Sequence, residues 1–211
     1  MKKATIIAAL LAALMLIVSC GGGAGGNPED DLFNGIAGYS TLNASVPSLQ
    51  SLLNGESWLE LNRETDISAF TGTWASVSVE THISPAPQYA KKTTVQYVIE
   101  EDSSTPDAYT CTSTYIYDYT AAMAELGNSY WETIKSDDIP SEGYTINDYV
   151  ATQTSGNYTE DVSTINDVFG DFWYPEAIEI YINGTQPSEA TKIQVYNTNS
   201  QQMTIWVKQA D

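Results

Sequence analysis

Short strand-like runs separated by turn residues recur from Thr71 onward in this chain. Runs that are rich in Val, Ile, Thr and Tyr and alternate apolar with polar residues are typical of half-buried β-strands. We predict strands over 73–82, 91–100, 108–119, 144–153, 157–165, 177–183, 191–198 and 202–208. The clear interruption is 120–135, where Thr120 can cap a short helix that Gly127 ends. About eight strands joined mostly by short turns predict an all-β fold, an antiparallel up-and-down barrel, with a two-sheet sandwich as the alternative.

At the N-terminus, a short apolar segment precedes a cysteine. Residues 4–18 are almost entirely apolar, but they are too few to span a bilayer, which needs about 20. Ile17-Val18-Ser19-Cys20 and the glycine-rich run that follows resemble the lipobox of bacterial lipoproteins. The resemblance implies that 1–19 is a signal peptide, that Cys20 carries the lipid, and that 20–31 is a flexible tether. An ordinary signal peptide with a chance cysteine is the alternative.

Residues 32–68 predict a short helical preamble that packs on the barrel formed by 69–211. Ser45 fits an N-cap followed by an early proline, and Asn54-Gly55 fits a helix stop. Leucines between these two signals fall on one helical face. We therefore expect this segment to cover a sheet face or a barrel end.

The strand at 73–82 opens with Phe70-Thr71-Gly72-Thr73-Trp74. Gly72-x-Trp74 at the start of an eight-strand all-β stretch is similar to lipocalins and their lipocalin-like bacterial relatives. The resemblance covers roughly 70–211. It implies that Gly72 admits a tight turn into the first strand, that Trp74 plugs the barrel floor, and that Lys208 lies over Trp74. An inward Trp74 would turn Val77 outward, unless a bulge lies between the two residues.

Acidic side chains dominate the charge of the chain. The sequence carries 27 Asp and Glu against 8 Lys and Arg, a formal net charge of −19. Charge of this sign repels nucleic acid and anionic membrane surfaces, because both bind through clusters of Lys and Arg. We expect no nucleic-acid partner and a membrane attachment through the N-terminal lipid alone. Gly21 in place of an aspartate after Cys20 favours the outer membrane of a bacterial cell envelope.

Few residues fit catalysis or metal binding. His82 is the only histidine and lies at a predicted strand end, where an exposed loop residue is the simpler interpretation. Cys111 has no cysteine partner once Cys20 is acylated, so we expect a buried free thiol. Asp167 and Asp171 are the best pair for glycoside hydrolysis, but any acidic chain offers such pairs. We predict no enzyme, no cofactor and no metal site.

Three loop regions are nonetheless rich in carboxylates. They are Asp137-Asp138, Asp148 and the run from Asn166 to Asp171, and none has the spacing of an EF-hand. Solvated loop carboxylates are the interpretation we favour for all three.

Aromatic residues give the positive indication of a ligand. Tyr97, Tyr115 and Tyr117 share the predicted inward phase with Val95 and Ile99. Together with Trp74 they would line a cavity for an amphipathic molecule, since tyrosine combines an apolar ring with a hydroxyl. A solid core without a cavity is the alternative.

A second aromatic set has the opposite phase. Tyr181, Tyr196 and Trp206 lie on three successive predicted strands, which would bring them together on the outer wall. The set could lie under 45–59 or form a face that binds sugars or partners.

These expectations combine into two functions. The first is a lipid-anchored extracytoplasmic lipocalin-like protein that binds a small hydrophobic or amphipathic molecule. The alternative is a surface lipoprotein with a filled, ligand-free barrel that contacts macromolecules or glycans.

Overall fold

The computed structural model describes residues 33, 35–83, 86–140, 142–154, 162–170 and 175–210. Strands make up 43 % of these residues and helices 27 %, so the fold is mostly β rather than all-β. The predicted signal peptide and tether, 1–31, lie outside the described residues. No helix within the described part of the chain is long and apolar enough to cross a membrane.

One antiparallel sheet contains all the strands of the described ranges. The strands are β1 (Trp58–Leu61), β2 (Gly72–His82), β3 (Tyr89–Glu101), β4 (Tyr109–Asp118), β5 (Thr145–Asn147), β6 (Val150–Thr154), β7 (Ile178–Asn183), β8 (Lys192–Asn197) and β9 (Gln202–Lys208). Their order across the sheet is β1-β7-β8-β9-β2-β3-β4-β6-β5. The sheet is open, with β1 and β5 at its edges, so the closed eight-stranded barrel is not observed. The two edges come from segments that extend β7 and β4 separately, and they do not pair with each other.

Six of the predicted strands are confirmed as β2, β3, β4, β7, β8 and β9. The prediction over 144–153 is partly wrong, because this run folds into the β5–β6 hairpin. Asp148 turns the chain there at a φ of 50°. Of the predicted strand over 157–165, 157–161 lies outside the described residues. Val162 and Thr164 make only isolated bridges, and Ile165 begins a helix.

Five short α-helices accompany the sheet in the described ranges. They are α1 (Tyr39–Ser45), α2 (Leu49–Leu53), α3 (Thr120–Leu126), α4 (Trp131–Asp138) and α5 (Ile165–Phe169). Ser48 rather than Ser45 caps α2, since its side chain accepts a hydrogen bond from the Ser51 backbone. The preamble is only partly helical, because β1 and a 3₁₀ helix (Ile67–Phe70) follow α2.

Residues that pair directly across strands lie on the same face of a sheet. The register therefore places Trp74, Tyr97, Ile193 and Ile182 on one face, which we call the core face. Trp206 pairs with Ile193 and also lies on the core face. Its predicted position on the outer wall is wrong. Both alternate sets of β9 are apolar, so periodicity could not decide which set faces the core.

Two separate hydrophobic clusters cover the core face. The first joins the centre of the sheet to the 3₁₀ helix and α5, through Phe70, Ile165 and Phe169. The second joins the far end of β3 and β4 to α3 and α4, through Met123 and Ile134. The helices between β4 and β5 thus complete a core that strands alone leave open.

The N-terminal helices cover the opposite face, which we call the outer face. Leu42 of α1 packs with Val79 and Ala90, both on the outer face of β2 and β3. Lys192 of β8 donates a hydrogen bond to the Leu52 carbonyl oxygen at 3.0 Å and pairs with Glu56. The preamble therefore packs on a sheet face, as the sequence predicts.

Candidate functional site

The structure places Trp74 inside the first cluster. It is fully buried, and its Nε1 donates a hydrogen bond to the Phe70 carbonyl oxygen at 2.7 Å. Lys208 Nζ lies 5.6 Å from the Trp74 ring centroid, which confirms the predicted contact. Val77 is 38 % exposed and β2 pairs with β3 without a bulge, so the valine faces outward.

Gly72 makes the turn into β2. Its φ is 110°, a conformation that side-chain-bearing residues rarely adopt. A Cβ at this position would also lie 3.3 Å from Lys208 Cε. The predicted need for glycine before Trp74 is thus met by both the backbone and the close approach of Lys208.

Tyr97 also belongs to the packed core. Its ring stacks on Trp206 with centroids 4.3 Å apart and lies 5.8 Å from the Phe169 ring. Burial raises the pKa of Tyr97, and Tyr115 adds to this through charge repulsion and a hydrogen bond. Around Trp74 and Tyr97, aromatic rings fill the space where the sequence predicted a cavity.

Tyr115 and Tyr117 lie further along the same face. Tyr115 pairs with Val95, and Tyr117 pairs with Thr93 in the second cluster. The Tyr117 ring stacks on Tyr144 at 5.7 Å. The four predicted ligand residues therefore share a face, but they are divided between two packed regions.

On the outer face, Tyr181 and Tyr196 are both half-buried. The Tyr181 hydroxyl donates a hydrogen bond to Glu179 at 2.9 Å, and this bond raises the pKa of Tyr181. Glu179 pairs with Tyr196 across β7 and β8, so the two tyrosines are diagonal neighbours. The predicted patch of three aromatics is reduced to these two, because Trp206 faces the core.

A buried ion pair lies at the other end of the core face. Lys91 is 8 % exposed, and its Nζ donates to the two Asp138 carboxylate oxygens at 2.9 and 2.8 Å. The Tyr119 hydroxyl donates to Asp138 at 2.9 Å. Glu80 lies 3.5 Å from Lys91 Nζ, and the Tyr117 ring centroid lies 4.5 Å from it. This network ties the end of α4 to the centre of β3.

Sequence analysis missed this network and treated Asp138 as a solvated loop carboxylate. The available signal is the phase of Lys91, which alternates with the apolar core-face residues of β3. A charge at such a position needs a buried counterion.

A cleft of about 720 Å³ opens beside this ion pair, between α4 and the β5–β6 hairpin. We call it the hairpin cleft. Its apolar lining is Ile139, Tyr144 and Ile146, and its polar lining includes Lys135, Asp137 and Asp138. Burial, with a hydrogen bond to Tyr117, raises the pKa of Tyr144 to about 12. The tyrosine hydroxyl is thus neutral and can take part in hydrogen bonds at physiological pH.

A smaller cleft of about 550 Å³ lies along the other side of the hairpin. Its lining is mostly polar and uncharged, with Thr120, Asn147, Tyr149 and Thr152 among its residues. The Tyr149 hydroxyl donates a hydrogen bond to Asn128, which fixes the ring.

The remaining candidates have structural roles in the parts described. His82 is half-buried at the end of β2 and stacks on Tyr89 with centroids 4.8 Å apart, so it is not an exposed loop residue. Cys111 is partly buried, and burial raises its pKa to about 11. Asp167 caps α5 by accepting hydrogen bonds from the Ser163 and Thr164 backbone.

Asp171 and Trp173, the other members of the predicted glycosidase set, lie outside the described residues. Within the described ranges, no group of three or more His, Cys, Asp or Glu residues could hold a metal ion.

Comparison of the chain with family models, curated proteins and solved structures gives no match. The site is therefore defined by the residues of this chain.

Proposed function

We propose that this chain is a lipid-anchored protein of the bacterial cell envelope that binds a small amphipathic molecule in the hairpin cleft. The observation that carries the proposal is the contrast between the two ends of the core face. Trp74 and Tyr97 are packed among aromatic rings, whereas the hairpin cleft is open and combines apolar with charged residues. Such a combination is typical of small-molecule sites. The role is binding without catalysis.

The chemistry of the cleft matches an amphipathic ligand. Ile146 is 42 % exposed, an unusual state for an isoleucine on a short strand unless something covers it. An apolar chain lying on Ile139, Tyr144 and Ile146 would remove this surface from water. The polar end of the ligand would then reach the carboxylates and Lys135 at the rim.

A lipocalin-like relationship remains part of the proposal. Gly72, Trp74 and Lys208 have the contacts that the resemblance implies. The ligand position differs from the barrel interior that the resemblance implies, because the space beside Trp74 is filled.

Blocking the cleft tests where the ligand binds. We expect Ile146→Arg to reduce binding of decyl maltoside, a neutral amphiphile, at least about ten-fold, because a charged side chain replaces the apolar wall. The protein would begin at residue 20 and carry Cys20→Ala, so that no acyl chain competes and every described residue is kept. Binding would be measured by isothermal titration below the critical micelle concentration.

Val77→Arg is the matched control. Val77 is 38 % exposed on β2 and faces away from the core face, so the same substitution there should leave binding unchanged. Equal binding by the two variants, or no binding by the unsubstituted protein, would refute the proposed site.

The anchor is tested separately in cells. Because thioether acylation needs the cysteine sulfur, we expect Cys20→Ala to abolish incorporation of a labelled fatty acid. The variant should leave the membrane fraction or remain uncleaved. Equal labelling of both proteins would show that Cys20 is not the acylated residue.

The second candidate function is recognition of a macromolecule or glycan on the outer face. The half-buried pair Tyr181 and Tyr196, together with the filled core, favours it. Binding to a glycan array that is lost in Tyr196→Ala and kept in Ile146→Arg would favour this function over the first.

A further inference from the structure

The hairpin cleft has an excess of negative charge. Lys135 pairs with Glu132 at 2.7 Å, and Lys91 pairs with Asp138 and Glu80. Asp137 also lines the cleft, and it has no ion pair among the described residues. Carboxylates around this end of α4 thus outnumber ammonium groups by four to two, counting both buried and exposed members.

Asp137 lies where a carboxylate is unfavourable for the helix. It occupies the last turn of α4, whose partial charge is negative. Asp138 at the same end is balanced by Lys91, but nothing described balances Asp137. A residue that weakens its own helix without an internal partner is a candidate for a binding role.

A second observation points to a missing polar partner. Tyr89 is 1 % exposed, and its hydroxyl has no hydrogen-bond partner within the described residues. Burial raises the pKa of Tyr89, and the carboxylates of Asp138 and Asp137 raise it further. The hydroxyl therefore lies within the electrostatic field of the two aspartates that line the cleft. Buried hydroxyl groups are almost always hydrogen-bonded, so a water or a ligand atom is expected here.

The chain already binds one primary ammonium group at this end. Lys91 Nζ lies over the Tyr117 ring and against the Asp138 carboxylate. Aromatic rings and carboxylates together are the usual surroundings of a bound organic cation. Tyr144, which stacks on Tyr117, and Asp137 present the same two kinds of group to the cleft.

From these contacts we propose that the hairpin cleft binds an amphipathic primary amine, whose ammonium group pairs with Asp137 and whose apolar chain lies on Ile139 and Ile146. This inference rests on the proposed function and specifies its ligand class. The Tyr144 ring contributes to binding of the ammonium group, and the Lys91–Asp138 pair holds α4 in place beneath it.

Three amphiphiles with the same decyl chain test the proposal: decylammonium, decyl maltoside and decyl sulfate. Each would be titrated into the Cys20→Ala protein described above, below its critical micelle concentration. We expect decylammonium to bind at least about ten-fold more tightly than decyl sulfate. Asp137→Asn should weaken decylammonium about five-fold, as for a partly exposed ion pair, and leave decyl maltoside unchanged.

Asp107→Asn is the control for the overall negative charge. It removes the same charge from the exposed turn between β3 and β4, and Asp107 has a φ of 59° that asparagine also tolerates. We expect this variant to bind decylammonium like the unsubstituted protein. Equal weakening by the two variants would mean that only net charge attracts the amine, and it would overturn the proposal.

The thermal midpoint of Asp137→Asn provides a second measurement. Removing a carboxylate from the helix C-terminus should keep or raise the midpoint while binding falls. If all three amphiphiles fail to bind, the proposed function itself is wrong. If decyl maltoside and decylammonium bind equally and Asp137→Asn changes neither, only the amine specificity is wrong.

The amine could belong to a lipid headgroup or to a free small molecule. Competition with dihexanoyl phosphatidylethanolamine and dihexanoyl phosphatidylcholine separates the two sources. Displacement of decylammonium by the ethanolamine lipid alone indicates a headgroup, and displacement by neither lipid indicates a free amine.

Discussion

Replacing Trp74 with alanine should lower the free energy of unfolding by about 3–5 kcal/mol, the cost of removing a large buried aromatic side chain. The ring is fully buried between Phe70 and Phe169, and its Nε1 donates to the Phe70 carbonyl oxygen. The substitution therefore leaves a cavity and an unpaired buried carbonyl group. Urea denaturation followed by far-UV circular dichroism measures the loss.

Trp58→Ala is the matched control for this prediction. Trp58 is half-buried on the edge strand β1, so its removal should cost about 1 kcal/mol. Trp74→Phe separates volume from hydrogen bonding, since it keeps most of the ring and removes the Nε1 donor. Equal midpoints for Trp74→Ala and Trp58→Ala would contradict the central position of Trp74.

Replacing Asp138 with alanine should cost about 3 kcal/mol. Loss of one partner of a buried ion pair leaves the other charge uncompensated, which typically costs about 3–5 kcal/mol. The lower end applies because the Asp138 side chain remains 20 % exposed and Glu80 stays near Lys91. The Tyr119 hydroxyl also loses its acceptor. Thermal and urea unfolding of the purified variant measure the cost.

Asp137→Ala is the control for Asp138→Ala, because it removes the neighbouring carboxylate of the same helix. Asp137 is exposed and has no ion pair in the described part of the chain, so its loss should cost almost nothing. The double variant Lys91→Met with Asp138→Leu should recover most of the lost stability, since apolar side chains of similar volume can replace a buried pair. A cost below about 1 kcal/mol for Asp138→Ala would show that solvent screens the pair.

The clefts beside the β5–β6 hairpin could not be predicted from sequence. Residues 144–153 alternate like a single strand, and only the positive φ of Asp148 divides them into two. Once the hairpin forms, β6 pairs with β4 and β5 becomes a sheet edge next to α4. The cleft is a gap between two elements that are distant from β3 in sequence, so no local pattern signals it.

Local chemistry of the sequence by itself determined most of the strands, the break at 120–135 and the burial of Trp74. Alternation with period two is a property of each strand alone, and a glycine at a φ of 110° marks the turn before Trp74. Tertiary structure alone decided that the sheet stays open, that Trp206 faces the core and that Lys91 meets Asp138. Each of these depends on which strand or helix packs against another, and the pairing energy of a strand is the same whether its neighbour closes a barrel or leaves an edge.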